Sequence, residues 1–105
     1  MTQTPSKTIL LIGASGTIGT AARAALEARG HTVVAAGFSS GDHRVDLGEP
    51  ASIRALLESV GPVDAIISTA GRAPFGGLDD IDDEGWSLGL TNKLLGQVNL
   101  VRFGR

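Results

Sequence analysis

The sequence predicts an α/β fold: a parallel sheet of four strands in the order 3-2-1-4, with helices on its faces. Three observations predict it. Short apolar runs alternate with helix-forming stretches in the order strand, helix, strand, strand, helix, strand, helix. A glycine-rich turn joins the first strand to the first helix. The chain has 105 residues, 42% hydrophobic and 19% charged, which is the size and balance of one modest globular domain. Right-handed crossovers then set the strand order.

Each element has a local reason. Residues 1–6 read as a frayed lead. Residues 7–12 (KTILLI) form an apolar run that ends at a glycine, the pattern of a buried parallel strand. Residues 17–29 are rich in Ala, Leu, Arg and Glu, with apolar positions at Ile18, Ala21, Ala22, Ala25 and Leu26 and a closing Gly30, and predict a helix. Residues 31–36 (HTVVAA) predict the second strand, 37–41 a glycine/serine turn, and 44–46 a very short third strand. Residues 50–60 predict a helix with proline in its first position and Gly61-Pro62 as its stop. Residues 63–68 (VDAIIS) predict the fourth strand, and 71–83 a loop rich in Gly, Pro and Asp. A last helix is expected from about residue 84, with Leu94, Leu95, Val98 and Val101 on one face.

Composition removes several classes of function. There is no cysteine, so no disulfide framework, thiolate zinc site or cysteine nucleophile. Nine Lys and Arg are scattered and the net charge is −2, so nucleic acid is not an expected partner. The apolar runs are strand-sized, far short of the roughly 20 residues that span a bilayer. The opening MTQTPSK has no apolar signal-peptide core, and a cytoplasmic location is the expectation. Glycine is 15 of 105 residues, about double the usual share of roughly 7%, so turns and close backbone approaches must use it.

The glycine turn carries the chemistry. Gly13, Gly16 and Gly19 recur every third residue in GASGTIG, between the first strand and the first helix. The first glycine permits a tight turn, the second lets the backbone approach a pyrophosphate, and the third lets helix and strand pack closely. The helix start adds free N–H groups and the positive end of its dipole, and Ser15 and Thr17 add hydroxyls. A tight turn without a ligand is the plain alternative. No Gly-Lys-Ser/Thr follows, so it is not a P-loop, and Thr17 stands where a G-x-S-x-G nucleophile elbow needs glycine.

Ligands of such sheets lie beyond the carboxyl ends of the strands. After the second strand, neither an acid nor an arginine stands at the first turn positions. Ser39 and Ser40 are there to hydrogen-bond a phosphate, and Asp42 is a little further on. After the third strand, Asp46 either accepts from an adenine amino group, with Leu47 against the ring, or caps the next helix. After the fourth, Ser68-Thr69-Ala70-Gly71 leaves room for a ribose or makes a plain turn. Elsewhere, five acids in residues 79–84 suit the start of a helix better than a metal. Trp86 reads as a packing anchor, His31 and His43 as solvated or core-edge groups, and Arg72 as a surface residue within reach of a cofactor phosphate or a substrate carboxylate.

GASGTIG, Asp46-Leu47, Thr69-Ala70-Gly71 and WSLGLTNKLLGQVNLV in residues 86–101, taken in order, resemble the N-terminal portion of a short-chain dehydrogenase/reductase. The resemblance implies a Rossmann-type, NAD(P)-binding domain over residues 1–105 that is incomplete. It implies NADP or NAD as cofactor, with the preference undetermined, and hydride transfer to or from a small carbonyl or alcohol substrate in the intact protein. Gly13, Ser15, Gly16, Thr17, Ile18 and Gly19 would hold the pyrophosphate, Ser39 a phosphate, Asp46 and Leu47 the adenine, and Ala70 and Gly71 the ribose. The sequence departs from that family in several places. Its glycine spacing is that of extended or atypical members, and Thr69 replaces the first residue of the usual Asn-Ala-Gly. Phe38 stands where NADP-preferring members often carry arginine. Counting three residues back from Gly96, to where the family often has a catalytic asparagine, lands on Lys93, one step from Asn92. The chain has no tyrosine, so the family's Tyr-x-x-x-Lys pair is missing and no catalytic residue is expected in it. It reads as a truncated reductase, inactive alone, whose fourth strand and last helix lack cover, so that it is expected to be marginal, homo-oligomeric or aggregation-prone. A non-catalytic dinucleotide-binding or interaction module is the alternative reading.

Overall fold

A computed structural model describes residues 5–105. Most of the lead expected at 1–6 therefore lies outside the described residues. Four parallel strands form one sheet in the order β3-β2-β1-β4. Strand β1 (Thr8–Ile12) lies between β2 (Thr32–Gly37) and β4 (Ala65–Ser68), and its ladder runs from Thr8–Thr32 to Ile12–Ala36 on one side and from Ile9–Ala65 to Ile12–Ser68 on the other.

The unbroken apolar run of β1 is explained by cover on both faces. Leu10 and Ile12 point into a core shared with Val45, Leu47, Ile53, Leu56 and Leu100. Leu11 points the other way, against Ala14, Ala22, Ala35 and Ile67. Helix α1 (Thr17–Ala28) lies over this second, smaller core. Helix α2 (Pro50–Val60) covers the first, starting on its proline and ending at Gly61, where φ is +75°.

Three sequence expectations shift. The third strand, β3, is His43–Arg44 rather than 44–46, because its pairing stops at Ala36–His43 and Gly37–Arg44. Val63 and Asp64 precede β4, and Asp64 instead ties to Thr8 through its backbone N–H and through its carboxylate. The face of α1 that meets the sheet is centred on buried Gly19, with Ala22 and Leu26 half-buried. Ile18, expected among the apolar core-facing positions, is 70% exposed, and Ala21 and Ala25 are exposed as well. The close approach at Gly19 rotates the helix and leaves Ile18 on the solvent side.

The last helical region is interrupted. Helix α3 (Asp83–Leu88) begins with the Asp82 carboxylate accepting from the Gly85 N–H at 2.8 Å, so the acid run serves as a helix start. A π-helical turn (Gly89–Leu94) follows, and then helix α4 (Leu95–Gly104). The residues that α4 buries are Gly96, Asn99 and Leu100. Gly96 sits so near the end of β3 that an added Cβ would lie 2.8 Å from the Leu47 carbonyl oxygen. The large residues Leu94, Leu95, Val98 and Val101 do share a face, but that face is exposed. Strand β4 is an edge strand, and beside it a groove of about 440 Å³ runs between Val63, Ala65 and Ser68 on one side and Gln97, Leu100 and Val101 on the other. Among the described residues, no helix is long and apolar enough to cross a membrane, and no group of three His, Asp or Glu could hold a metal.

Candidate functional site

The carboxyl ends of β1, β2 and β4, with the turn after β3, meet at one rim of the sheet, and the glycine turn lies there. Gly13 leaves β1 with φ of +88°, a conformation that glycine adopts without a Cβ penalty, and its N–H donates to the Ala36 carbonyl at 2.8 Å. A Cβ on Gly13 would also lie 2.9 Å from the Ala70 nitrogen, so the missing side chain lets the end of β4 close in. Gly16 is the N-cap of α1 and offers no side-chain cap. The first helical bond runs from Thr20 N–H to Gly16 C=O, so the amides of Thr17, Ile18 and Gly19 come before it at the helix's positive end. Gly19 has the tightest requirement: an added Cβ would stand 1.8 Å from the Gly13 carbonyl oxygen. Ser15, Gly16, Thr17 and Ile18 are all exposed. The turn is thus an open backbone cradle with its one buried glycine underneath.

Neighbouring loops are tied to this cradle. The Ser15 and Ser40 hydroxyls are 2.7 Å apart, joining the glycine turn to the loop after β2. The Thr69 hydroxyl lies 3.2 Å from the Ile12 carbonyl oxygen and 3.1 Å from that of Gly13, joining it to the end of β4. Ser39 is exposed on the β2–β3 loop, beside Phe38, which is 63% exposed.

Asp46 does not cap α2, whose N-cap is Glu49. Its Oδ1 accepts from the Gly48 N–H at 2.9 Å, while its own N–H donates to the Ser52 hydroxyl. That turn leaves the second carboxylate oxygen without a partner among the described residues. Leu47 is buried. Together with Ala70 and Gly71 it lines a cleft of about 50 Å³ that Ile12, Phe38, Arg72 and Asn92 complete. The larger hollow beside β4 is an open edge groove, and no glycine of the cradle lines it.

The structure therefore brings together Gly13, Ser15, Gly16, Thr17, Ile18 and Gly19 as one turn, and Leu47, Ala70 and Gly71 as one cleft, with Asp46 next to it. Sequence reasoning missed how Asn92 works. Asn92 is only 5% exposed, and its Oδ1 accepts from the Arg72 N–H at 2.6 Å, clamping the segment after β4. Gln97 adds a bond to the Ala70 carbonyl at 3.2 Å. Lys93 folds over Gly71, where φ is +142° and an added Cβ would come within 2.6 Å of the lysine Cδ. The spacing that placed Asn92 one step off was the available signal: the π-helical turn widens the helix just there.

Comparison with known proteins bears on the family and the fold. Residues 9–101 match the NAD dependent epimerase/dehydratase family. The crystal structure of the protein lin1944 from Listeria innocua is 44% identical and superposes with a TM-score of 0.89 over 94% of this chain and 49% of that one. A small-chain dehydrogenase solved in complex with NADPH is 25% identical, with a TM-score of 0.82 over 95% of this chain and 45% of that one. Aldohexose dehydrogenase from Thermoplasma acidophilum, at 20% identity and a TM-score of 0.80 over 93% of this chain and 42% of that one, shares the fold. No curated protein matches the sequence. The chain spans about half the length of these solved structures. The order β3-β2-β1-β4 is that of a Rossmann-type half, and the likeness to the N-terminal portion of short-chain dehydrogenases holds over nearly the whole chain. With residues 9–101 matching its model, the chain belongs to the NAD dependent epimerase/dehydratase family.

Proposed function

We propose that this chain binds NADP or NAD as the dinucleotide-binding part of a short-chain oxidoreductase. The observation that carries the reading is the cradle. Any side chain at Gly19 would strike the Gly13 carbonyl, and the helix start above it is exposed and uncapped. A pyrophosphate suits such a place, since bare amides and a helix dipole favour an anion. Gly13, Ser15, Gly16, Thr17, Ile18 and Gly19 hold the pyrophosphate, and Ser39 a phosphate oxygen. The cleft between Leu47 and Ala70 takes the adenine, with Asp46 accepting from its amino group, and Gly71 leaves room for a ribose. The family match and a solved relative that carries NADPH support the choice of cofactor class.

When bound, the nicotinamide supplies hydride exchange with a carbonyl or alcohol. The residues of this chain position the dinucleotide and exclude water from beneath it. The substrate is a small molecule that meets the cofactor in the intact protein, in the cytoplasm. A second reading, a dinucleotide-binding module without chemistry of its own, is favoured by one observation: the chain contains no tyrosine to act as the general acid. Isothermal titration with NADP and NAD tests what the two readings share, and saturable 1:1 binding of either is expected. The absence of binding of both would overturn the proposal. Hydride exchange by a longer protein containing this chain, with a Ser and a Tyr-x-x-x-Lys downstream, separates the two readings.

A further inference from the structure

We propose that Arg72 selects the phosphorylated dinucleotide, NADP(H), by presenting its guanidinium to the 2′-phosphate of the adenosine ribose. This rests on the dinucleotide reading above.

The end of β2 lacks both an acidic and a basic side chain at its first turn positions. A ribose with a free 2′-hydroxyl is usually gripped by a carboxylate there, whereas a 2′-phosphate needs a cation. The residues in that place are Phe38, Ser39 and Ser40. The first carboxylate beyond them, Asp42, is turned back under the loop, with Oδ2 3.4 Å from the Ala35 N–H. No carboxylate therefore stands at the first positions after β2, where a 2′-hydroxyl would be gripped.

The cation arrives from the next strand end. The Arg72 guanidinium carbon stands 5.7 Å from the centre of the Phe38 ring. At that distance the ring holds the cation within cation–π reach, and the planar N–H fork of a guanidinium fits phosphate oxygens. Among the described residues the salt bridge is Arg23 to Glu27, and Arg72 has no carboxylate partner. Its base is fixed, because its backbone N–H is held by buried Asn92. Phe38 lines the cleft beside Leu47 and Ala70, and at 63% exposure it also presents ring surface outside it. As the platform that holds a guanidinium above the β2 loop, it has a role. The Ser39 and Ser40 hydroxyls sit next to it in the chain, and Ser40 is already bonded to the glycine turn. Arg44, on β3, is the other arginine near this loop, and one of its N–H groups is already donated to the Gly41 carbonyl.

The test is fluorescence titration of the 105-residue chain with NADPH and with NADH, repeated for Arg72→Gln and Arg72→Lys. Arg72 is exposed, so neither substitution disturbs the core. The chain as it stands is expected to bind NADPH about tenfold or more tightly than NADH, the scale of a charge-assisted hydrogen bond. Arg72→Gln removes that difference through loss of NADPH affinity. Arg72→Lys, which keeps the charge but not the planar fork, retains part of it. Equal affinity for the two dinucleotides in the unaltered chain, or an equal loss of both in Arg72→Gln, overturns the assignment while leaving the dinucleotide reading intact. Failure of both dinucleotides to bind overturns that reading, and this assignment with it.

Discussion

Three glycines at the start of the chain differ in how much they are asked to do, and their surroundings in the fold separate them. Their spacing in GASGTIG was enough to foresee a tight turn and a close helix–strand contact. The 1.8 Å separation at Gly19 makes that residue the most restrictive of the three, whereas a Cβ on Gly16 would meet only the Gly13 carbonyl, at 3.5 Å. Gly19→Ala is therefore expected to push α1 off β1 and cost about 1–3 kcal/mol, the range for overpacking a tight contact. Urea midpoints check the stability, and the variant should also lose dinucleotide binding. Gly16→Ala is expected to fold nearly as well and, on the proposed reading, to weaken binding, because the exposed N-cap beside the free helix-start amides would then carry a Cβ. The Gly71–Lys93 contact was not legible in advance. It joins residues 22 positions apart, through a wide turn that no periodicity announces.

At the scale of elements, the sequence signals worked where one local rule decided the outcome. Pro50 opened α2, Asp82 capped α3, and the continuous apolar run of β1 marked a strand covered on both faces. They failed where packing chose between faces. An apolar stripe read from Leu94, Leu95, Val98 and Val101 is real, but α4 comes so close to the end of β3 that only Gly96 fits the contact, so the stripe faces outward. The same competition turned Ile18 to solvent. Asn92 is the clearest consequence of the π-helical turn, which puts a polar side chain inside the sheet's rim. Replacing it with Ala leaves the Arg72 N–H unpaired and is expected to cost about 1–3 kcal/mol. It should also release the segment after β4, which faster amide hydrogen exchange at Gly71 and Arg72 would report. Unchanged exchange there would remove the clamp from the account.

Over the whole molecule, the strand order was predictable because alternation and crossover handedness leave few layouts. The consequence was equally predictable: β4 pairs on one side only. Its outer edge, the groove beside it and the exposed stripe on α4 lie close together, and Val101 belongs to both the stripe and the groove. The Ser68 hydroxyl next to that edge is buried without a hydrogen-bond partner. An uncovered apolar edge pairs readily with another chain. Size-exclusion chromatography over a range of concentrations is expected to show self-association of the 105-residue chain, reduced by Ile66→Lys or Val101→Lys. A stable monomer with one cooperative unfolding transition would contradict this.

Backbone-amide NMR during a titration with NADP tests the cradle most directly. The amides from Ser15 to Gly19, together with Ala70 and Gly71, are expected to shift first and furthest. Shifts confined to the β4 groove, or none at saturating dinucleotide, would contradict the claim that the glycine turn holds the pyrophosphate.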